Sequence, residues 1–294
     1  MARNWSLGGR LLVALALVAA GYLLLVAPLF VIFREWFAVV ATVTLTAVPL
    51  FLILFGHRLA LSAAGAAYVD PDDYPELFSS LHRLSQQAGV STPRLAVVAN
   101  DDPNAFTAGS GDRAVVCATT GLLRKIDADE REAVFAHELA HLKNHDAVVM
   151  TLAAFPLTVS GLFLTLSEAT MHESQYSGLL PVGIGLVLLF PPLVLLPISY
   201  PAVLVIANAR EYAADSGAIA LTGKPAALAS ALRTLGDIDE KPERDMRSLG
   251  PVSAFCIVAP SWSSLQFPGL HPPTEKRIER LHEMERTAEA TTGQ

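Results

Sequence analysis

Phe135-Ala136-His137-Glu138-Leu139-Ala140-His141-Leu142, followed by Lys143 to Asp146 and then by the uncharged apolar run Ala147 to Leu166, decides how this chain is read. On a helix, residues four apart lie one above the other on the same face. His137 and His141 can therefore grip one metal ion, with Glu138 offset beside them to take a proton from an activated water. Asp127 and Glu130 have the spacing of a capping box, so the motif helix is expected to start at Asp127. It is expected to run on to Asp146 and merge with the apolar segment. A peptide-cleaving motif joined to an apolar segment points to proteolysis at a membrane surface.

Working outward, Leu11 to Phe33, Trp36 to Gly56 and Leu179 to Ala207 are three further apolar runs. With Ala147 to Leu166 they make four stretches of a length that crosses ~30 Å of hydrocarbon. The first is too long for a cleaved leader, and a second span follows it almost at once. The expected fold class is a mainly α integral membrane protein with four transmembrane helices in two hairpins. A cytoplasmic zincin-like catalytic domain with a small β-sheet completes it. The expected division is a hairpin over 1–58, the first catalytic part over 59–146, a second hairpin over 147–207 and the second catalytic part over 208–294. Arg3 and Arg10 precede span one and Arg58 follows span two, whereas Met171 to Ser177 carries Glu173 and no Lys or Arg. Positive-inside counting places both termini and the motif helix on the cytoplasmic side of the cell (inner) membrane.

A net charge of −7 argues against a nucleic-acid partner. Cys117 and Cys256 show neither CxxC spacing nor a disulfide framework and read as packed thiols. Asp70 to Val90 reads as an amphipathic helix stopped near Gly89. Arg94–Ala99 and Arg113–Ala118 read as strands, with Asn104–Thr107 a short third. Pro191, Pro192, Pro197 and Pro201 are expected to kink span four, and a separate soluble helix is expected from Asn208. Pro225 to Leu235 and Thr274 to Arg286 read as helices, Asp237 to Ser248 as a polar connection, and Leu249 to Leu270 as a covering loop.

Two histidines leave a catalytic zinc one protein ligand short. His145 cannot be that ligand, because eight residues of helix put it about 12 Å from His137 along the axis. Glu211, in Arg210-Glu211-Tyr212-Ala213-Ala214-Asp215, completes a His2Glu set. Alone, an Arg-Glu pair reads as a solvated ion pair; beside the upstream motif it reads as a ligand. Asp215, four residues on, can accept the free ring N–H of a ligand histidine. A membrane scaffold or chaperone with a structural zinc is the alternative, but it needs a fourth protein ligand that the sequence does not offer. A transporter is disfavoured because the spans lack buried charge and repeated halves.

These segments resemble the HtpX-type membrane zinc metalloproteases, relatives of the CAAX prenyl proteases. The resemblance rests on Asn104-Ala105-Phe106-Thr107-Ala108-Gly109, on His137 to His141 with Asn144 and Asp146, on Glu211 to Asp215, and on His271-Pro272-Pro273-Thr274-Glu275-Lys276-Arg277-Ile278. It implies an endopeptidase with one Zn2+ per chain that degrades misfolded or damaged membrane proteins in stress-linked quality control. Its partners would be the lipid bilayer and unfolded or membrane protein substrates. It also implies that Asn104, Ala105 and Phe106 bind substrate backbone by strand addition. His271, as a catalytic group, and Arg277, as a substrate-binding one, would then approach the site to stabilise the developing oxyanion. One departure stands out: Ala207-Asn208 occupies the place where family members often carry Ser-Arg.

Overall fold

The computed structural model describes residues 7–32, 34, 36–177, 179–236 and 271–292. The sequence-based expectations for Cys256, Asp237 to Ser248 and Leu249 to Leu270 lie outside the described residues. The chain divides into two compact units, one formed by Met1–Leu52 and Met150–Ile206, the other by Ile53–Val149 and Ala207–Gln294.

The first unit is built from apolar helices. Helix α1 covers Leu7–Ile32 and α2 covers Phe37–Thr42; a π turn over Val43–Ala47 leads into α3, Val48–Ala64. Pro49, which has no N–H to donate, lies just past the π turn and gives it a local cause. Helix α7 covers Asp146–Ser177 and α8 covers Leu179–Thr222. Among the described residues, four helices are long and apolar enough to cross a membrane, over Gly9–Ala27, Val39–Ala64, Asp146–His172 and Leu179–Thr222. Inside this unit Tyr22 stacks on Phe155 at 5.9 Å and donates its hydroxyl to the Leu152 carbonyl at 2.9 Å. Leu12, Leu23, Val187 and Phe190 remain exposed, as lipid-facing side chains must.

Helix α8 differs from the expected break. No separate helix begins at Asn208; one continuous helix passes through Pro191, Pro192, Pro197 and Pro201 and carries on to Thr222. The motif helix differs in the opposite sense. Helix α6, Ala128–Lys143, does not merge with α7, because His145 adopts φ 56° and interrupts the helical path at Asn144-His145. Left-handed backbone at a non-glycine residue ends a helix outright. At its other end Asp127 and Glu130 form the expected capping box, each side chain accepting the other's backbone N–H at 2.9 and 3.0 Å.

The second unit holds a four-stranded sheet in the order β1-β2-β4-β3, with β1 Ala66–Tyr68, β2 Arg94–Val98, β3 Ala105–Ala108 and β4 Val115–Thr119. Strands β2 and β4 are parallel and the other pairs antiparallel. Helix α4 spans Pro75–Ala88, shorter than the Asp70–Val90 expected, because Pro75 occupies its first turn and Gly89 closes it at φ 71°. A short α5, Thr120–Lys125, precedes α6; α9 covers Pro225–Gly236 and α10 covers Thr274–Thr292. Leu81, Leu84, Leu95, Phe135, Leu139, Leu228, Leu235 and Leu281 form one core against the helices. Ala60, Leu61, Phe106, Val115 and Cys117 form a second. The motif helix thus lies inside a packed core, which fixes the rotation that aims its histidines.

Candidate metal centre

Helix α6 is buried without a break from Ala133 to Ala140, with His137 and Glu138 showing no exposed surface. One turn apart, His137 Nε2 and His141 Nε2 come to 3.1 Å. From α8, Glu211 brings Oε2 to 3.6 Å from His137 Nε2 and Oε1 to 3.7 Å from His141 Nε2. Three ligands about 2.0–2.2 Å from one ion at tetrahedral angles stand about 3.3 Å apart. The three observed edges scatter closely around that value, so these donors fit a single metal ion.

The rings are held in the tautomer that such a site requires. His137 Nδ1 lies 3.0 Å from Asp215 Oδ1, somewhat off the N–H axis, and His141 Nδ1 lies 2.6 Å from Asp146 Oδ2. A carboxylate at each Nδ1 places the proton there and leaves both Nε2 lone pairs converging. Burial pulls the His137 pKa down, but the bonds to Asp215 and Glu211 outweigh it and raise the value to about 9. His141 lacks that surplus, and burial together with the neighbouring His137 holds it well below its ordinary value.

Glu138 faces the other way. Its Oε2 accepts the Thr107 hydroxyl from β3, whereas its Oε1 is buried without a protein partner. Burial, the largest influence, raises its pKa to about 7, although His137 and the Thr107 hydrogen bond pull downward. Glu138 and His141 share one cleft with Thr107, Gly109, Asp146 and Arg210. This is a carboxylate placed to exchange protons near neutral pH.

Two guanidinium groups bracket the third ligand. Arg210 Nη2 donates to Glu211 Oε1 at 2.7 Å, and Arg277 Nη1 lies 3.3 Å from Glu211 Oε2. Arg277 also clamps Asp215 through Nε and Nη2 at 2.9 and 2.6 Å. It is 2% exposed, so the Arg-Glu pairs here are buried ones. His271 Nδ1 lies 3.3 Å from Glu211 Oε1. Asn104 leads into β3, an edge strand of the sheet, and Ala105 and Phe106 begin it. Ala105 and Phe106 bury their side chains in the two cores, so only their backbone edge is available to a ligand. The Asn104 Oδ1 is buried without a partner.

The structure thus brings His137, His141 and Glu211 together, with Glu138, Asp215, Arg277 and His271 around them. Sequence reasoning gave no role to Asp146, Arg210 or Thr107. Asp146 lies five residues past His141, outside the helical spacing rule, and reaches it only because His145 turns the chain. Thr107 lies on a strand remote in sequence and carried no signal of its own.

Residues 71–285 match the peptidase family M48 pattern. The chain is 34% identical to Protease HtpX homolog 2 of Methanosarcina mazei, over 97% of this chain and 99% of that one. It is 34% identical to Protease HtpX homolog 1 of Streptomyces coelicolor, over 92% and 90% of the two chains. Protease HtpX homolog of Pyrococcus furiosus is 35% identical over 78% and 80%. Among solved structures, S. mikatae Ste24p shares the fold with a TM-score of 0.53 at 20% identity, over 90% of this chain. The chain spans 62% of the length of that structure. Alignment across nearly the whole chain, four apolar helices and a convergent His-His-Glu set agree: the chain belongs to peptidase family M48, among its HtpX-type membrane metallopeptidases.

Proposed function

We propose that this chain is a zinc endopeptidase that cleaves unfolded or membrane-inserted proteins at the cytoplasmic face of the inner membrane, in the removal of damaged proteins. The observation that carries the reading is Glu138: one carboxylate oxygen anchored by Thr107, the other buried and unpartnered, next to three converging metal ligands. A Zn2+ held by His137, His141 and Glu211 would supply Lewis-acid polarisation of the scissile carbonyl and of the attacking water. Glu138 takes the proton of that water on Oε1 and returns it to the leaving amine. Asp215 and Asp146 hold the two imidazoles in register, and Arg277 holds Asp215.

The edge of β3 that pairs with no strand among the described residues receives an extended substrate segment as an added strand, with Asn104 Oδ1 at its head. Recognition through backbone, beside small residues such as Ala105 and Ala108, tolerates many sequences, and that tolerance suits the disposal of varied damaged proteins. His271 stands next to Glu211 and is the side chain assigned to the developing oxyanion; Arg277 acts on the ligand shell. The positive-inside asymmetry of Arg10 and Arg58 supports the cytoplasmic orientation.

The test compares detergent-purified wild type with Glu138→Ala, measuring bound metal by elemental analysis and then casein cleavage after zinc addition. Stoichiometric zinc in both with cleavage by wild type alone is expected. Cleavage by both sinks the role of Glu138, and zinc in both without cleavage by either favours a scaffold with a structural ion.

A further inference from the structure

Near the C-terminal end of α3, positive charge gathers around a buried imidazole. His57 is 5% exposed and its Nδ1 has no hydrogen-bond partner. It is wedged against the turn that follows β3. A Cβ placed on Gly109 would stand 3.2 Å from His57 Cβ and 2.4 Å from the Arg113 carbonyl oxygen. That turn delivers Arg113 to the start of β4. The Arg94 N–H bonds to the Ala114 carbonyl at 3.0 Å, so Arg94 and Arg113 stand side by side at one end of the sheet. The charges that act on the His57 ring are those of Arg58, Arg113 and Arg94. All three arginines are exposed. Among the described residues none has a carboxylate at ion-pair distance, although Asp70 and Asp112 lie in neighbouring turns.

The surroundings are those of a membrane–water boundary. On the outer face of α3, Phe51, Phe55 and Leu59 are 51%, 40% and 51% exposed. The Arg58 guanidinium lies 5.8 Å from the Phe55 ring centroid. Arg94 lies 4.1 Å over the Tyr68 ring and donates to its hydroxyl at 2.8 Å. Aromatic rings beside snorkelling basic side chains mark the depth at which headgroups sit.

We propose that His57, Arg58, Arg94 and Arg113 form a site for the phosphate of an anionic phospholipid headgroup, in the leaflet from which α3 emerges. A headgroup is preferred to free phosphate because the site lies beside the lipid-facing Phe55 and Leu59, where acyl chains can follow. Binding there braces the Gly109–Arg113 turn, which closes the strand whose Thr107 holds Glu138.

The test uses the full chain in neutral detergent, titrated with fluorescent phosphatidylglycerol or with phosphatidylcholine of the same chains. Wild type is expected to prefer phosphatidylglycerol by about tenfold or more, a preference that salt weakens and that Arg94→Gln/Arg113→Gln largely abolishes. Equal binding of the two lipids by wild type overturns the proposal, as does an undiminished preference in a folded double variant. Competition by inorganic phosphate at lipid-like concentrations assigns the site to a free anion and overturns it too. Should the double variant not fold, Arg58→Gln carries the same comparison.

Discussion

Arg277 sits 2% exposed between two carboxylates that do different work. Toward Asp215 it makes a two-pronged bond that fixes the acceptor of His137; toward Glu211 it offers a single 3.3 Å contact. Arg277→Ala would leave Asp215 buried without its cation, a change that costs about 3–5 kcal/mol in comparable buried pairs. Reduced thermal stability and a 10–100-fold loss of zinc affinity are expected, measured by calorimetry and metal titration. Thr107→Val addresses the proton carrier instead. Burial raises the Glu138 pKa and the Thr107 hydroxyl restrains it. Removing the hydroxyl raises the pKa further, so the acid limb of the pH–rate profile is expected to move to higher pH. A fixed limb would remove Thr107 from the mechanism. Sequence alone named His137, His141 and Glu211, because helical spacing and ligand counting are local rules. The family resemblance brought Arg277 to the site as a substrate-binding residue, and the structure adds a buried bond to Asp215, 62 residues away, that no sequence signal carried. No spacing rule reaches across such a separation.

At the scale of elements, the site depends on how closely α6 and α8 approach. A Cβ on Gly217 of α8 would lie 2.8 Å from the Ala140 Cβ, inside the His-Glu-Leu-Ala-His motif. The small residue of the motif and the glycine opposite it let Glu211 reach the two histidines. Gly217→Ala is expected to push the helices apart and weaken zinc binding at least tenfold while helix content, read by circular dichroism, stays unchanged. The break between α6 and α7 invites the reverse experiment. His145 holds φ 56° while exposed, so His145→Gly is expected to stabilise by about 1 kcal/mol, seen as a higher melting temperature. These features were hard to read in advance. Asn144-His145 carries none of the Gly or Pro that usually marks a break. The return of polar residues at Asn208 pointed to a new helix, but α8 runs on unbroken to Thr222 with its four prolines inside it, since neighbouring groups and local adjustment can satisfy freed carbonyls. Strand β1, Ala-Ala-Tyr, is too short to show any period. The capping box at Asp127 and the glycine stop at Gly89, by contrast, were legible because both signals are confined to one turn.

For the molecule as a whole, the four apolar runs were the plainest part of the sequence, since length and the absence of charge suffice to find them. Their ends were less plain, because apolar composition does not mark where a helix stops. An ion that binds only the folded state stabilises it by mass action, about 2.7 kcal/mol at a hundred times its dissociation constant. Chelation is therefore expected to lower the melting temperature, and added zinc to restore it in a concentration-dependent way. An unchanged midpoint would mean that the three ligands hold no ion in solution.

The buried cluster also has a net charge to settle. Glu138, Asp146, Glu211 and Asp215 bring four negative charges, and Arg210 and Arg277 bring two positive ones, all within residues at most 6% exposed. With neutral imidazoles the ionised cluster carries −2, which a dication cancels and which protons must otherwise offset. His137, raised to about 9, and Glu138, raised to about 7, are among the groups that take them up. Metal binding is thus an exchange of protons for a divalent ion. At pH 7 each ion should expel at least one proton, and above about pH 9 the release should fade, as calorimetry in buffers of differing ionisation enthalpy would record. Acid then acts as a competitor for the site, and the affinity of this protein for its metal ion becomes a function of the acidity of the compartment that the site faces.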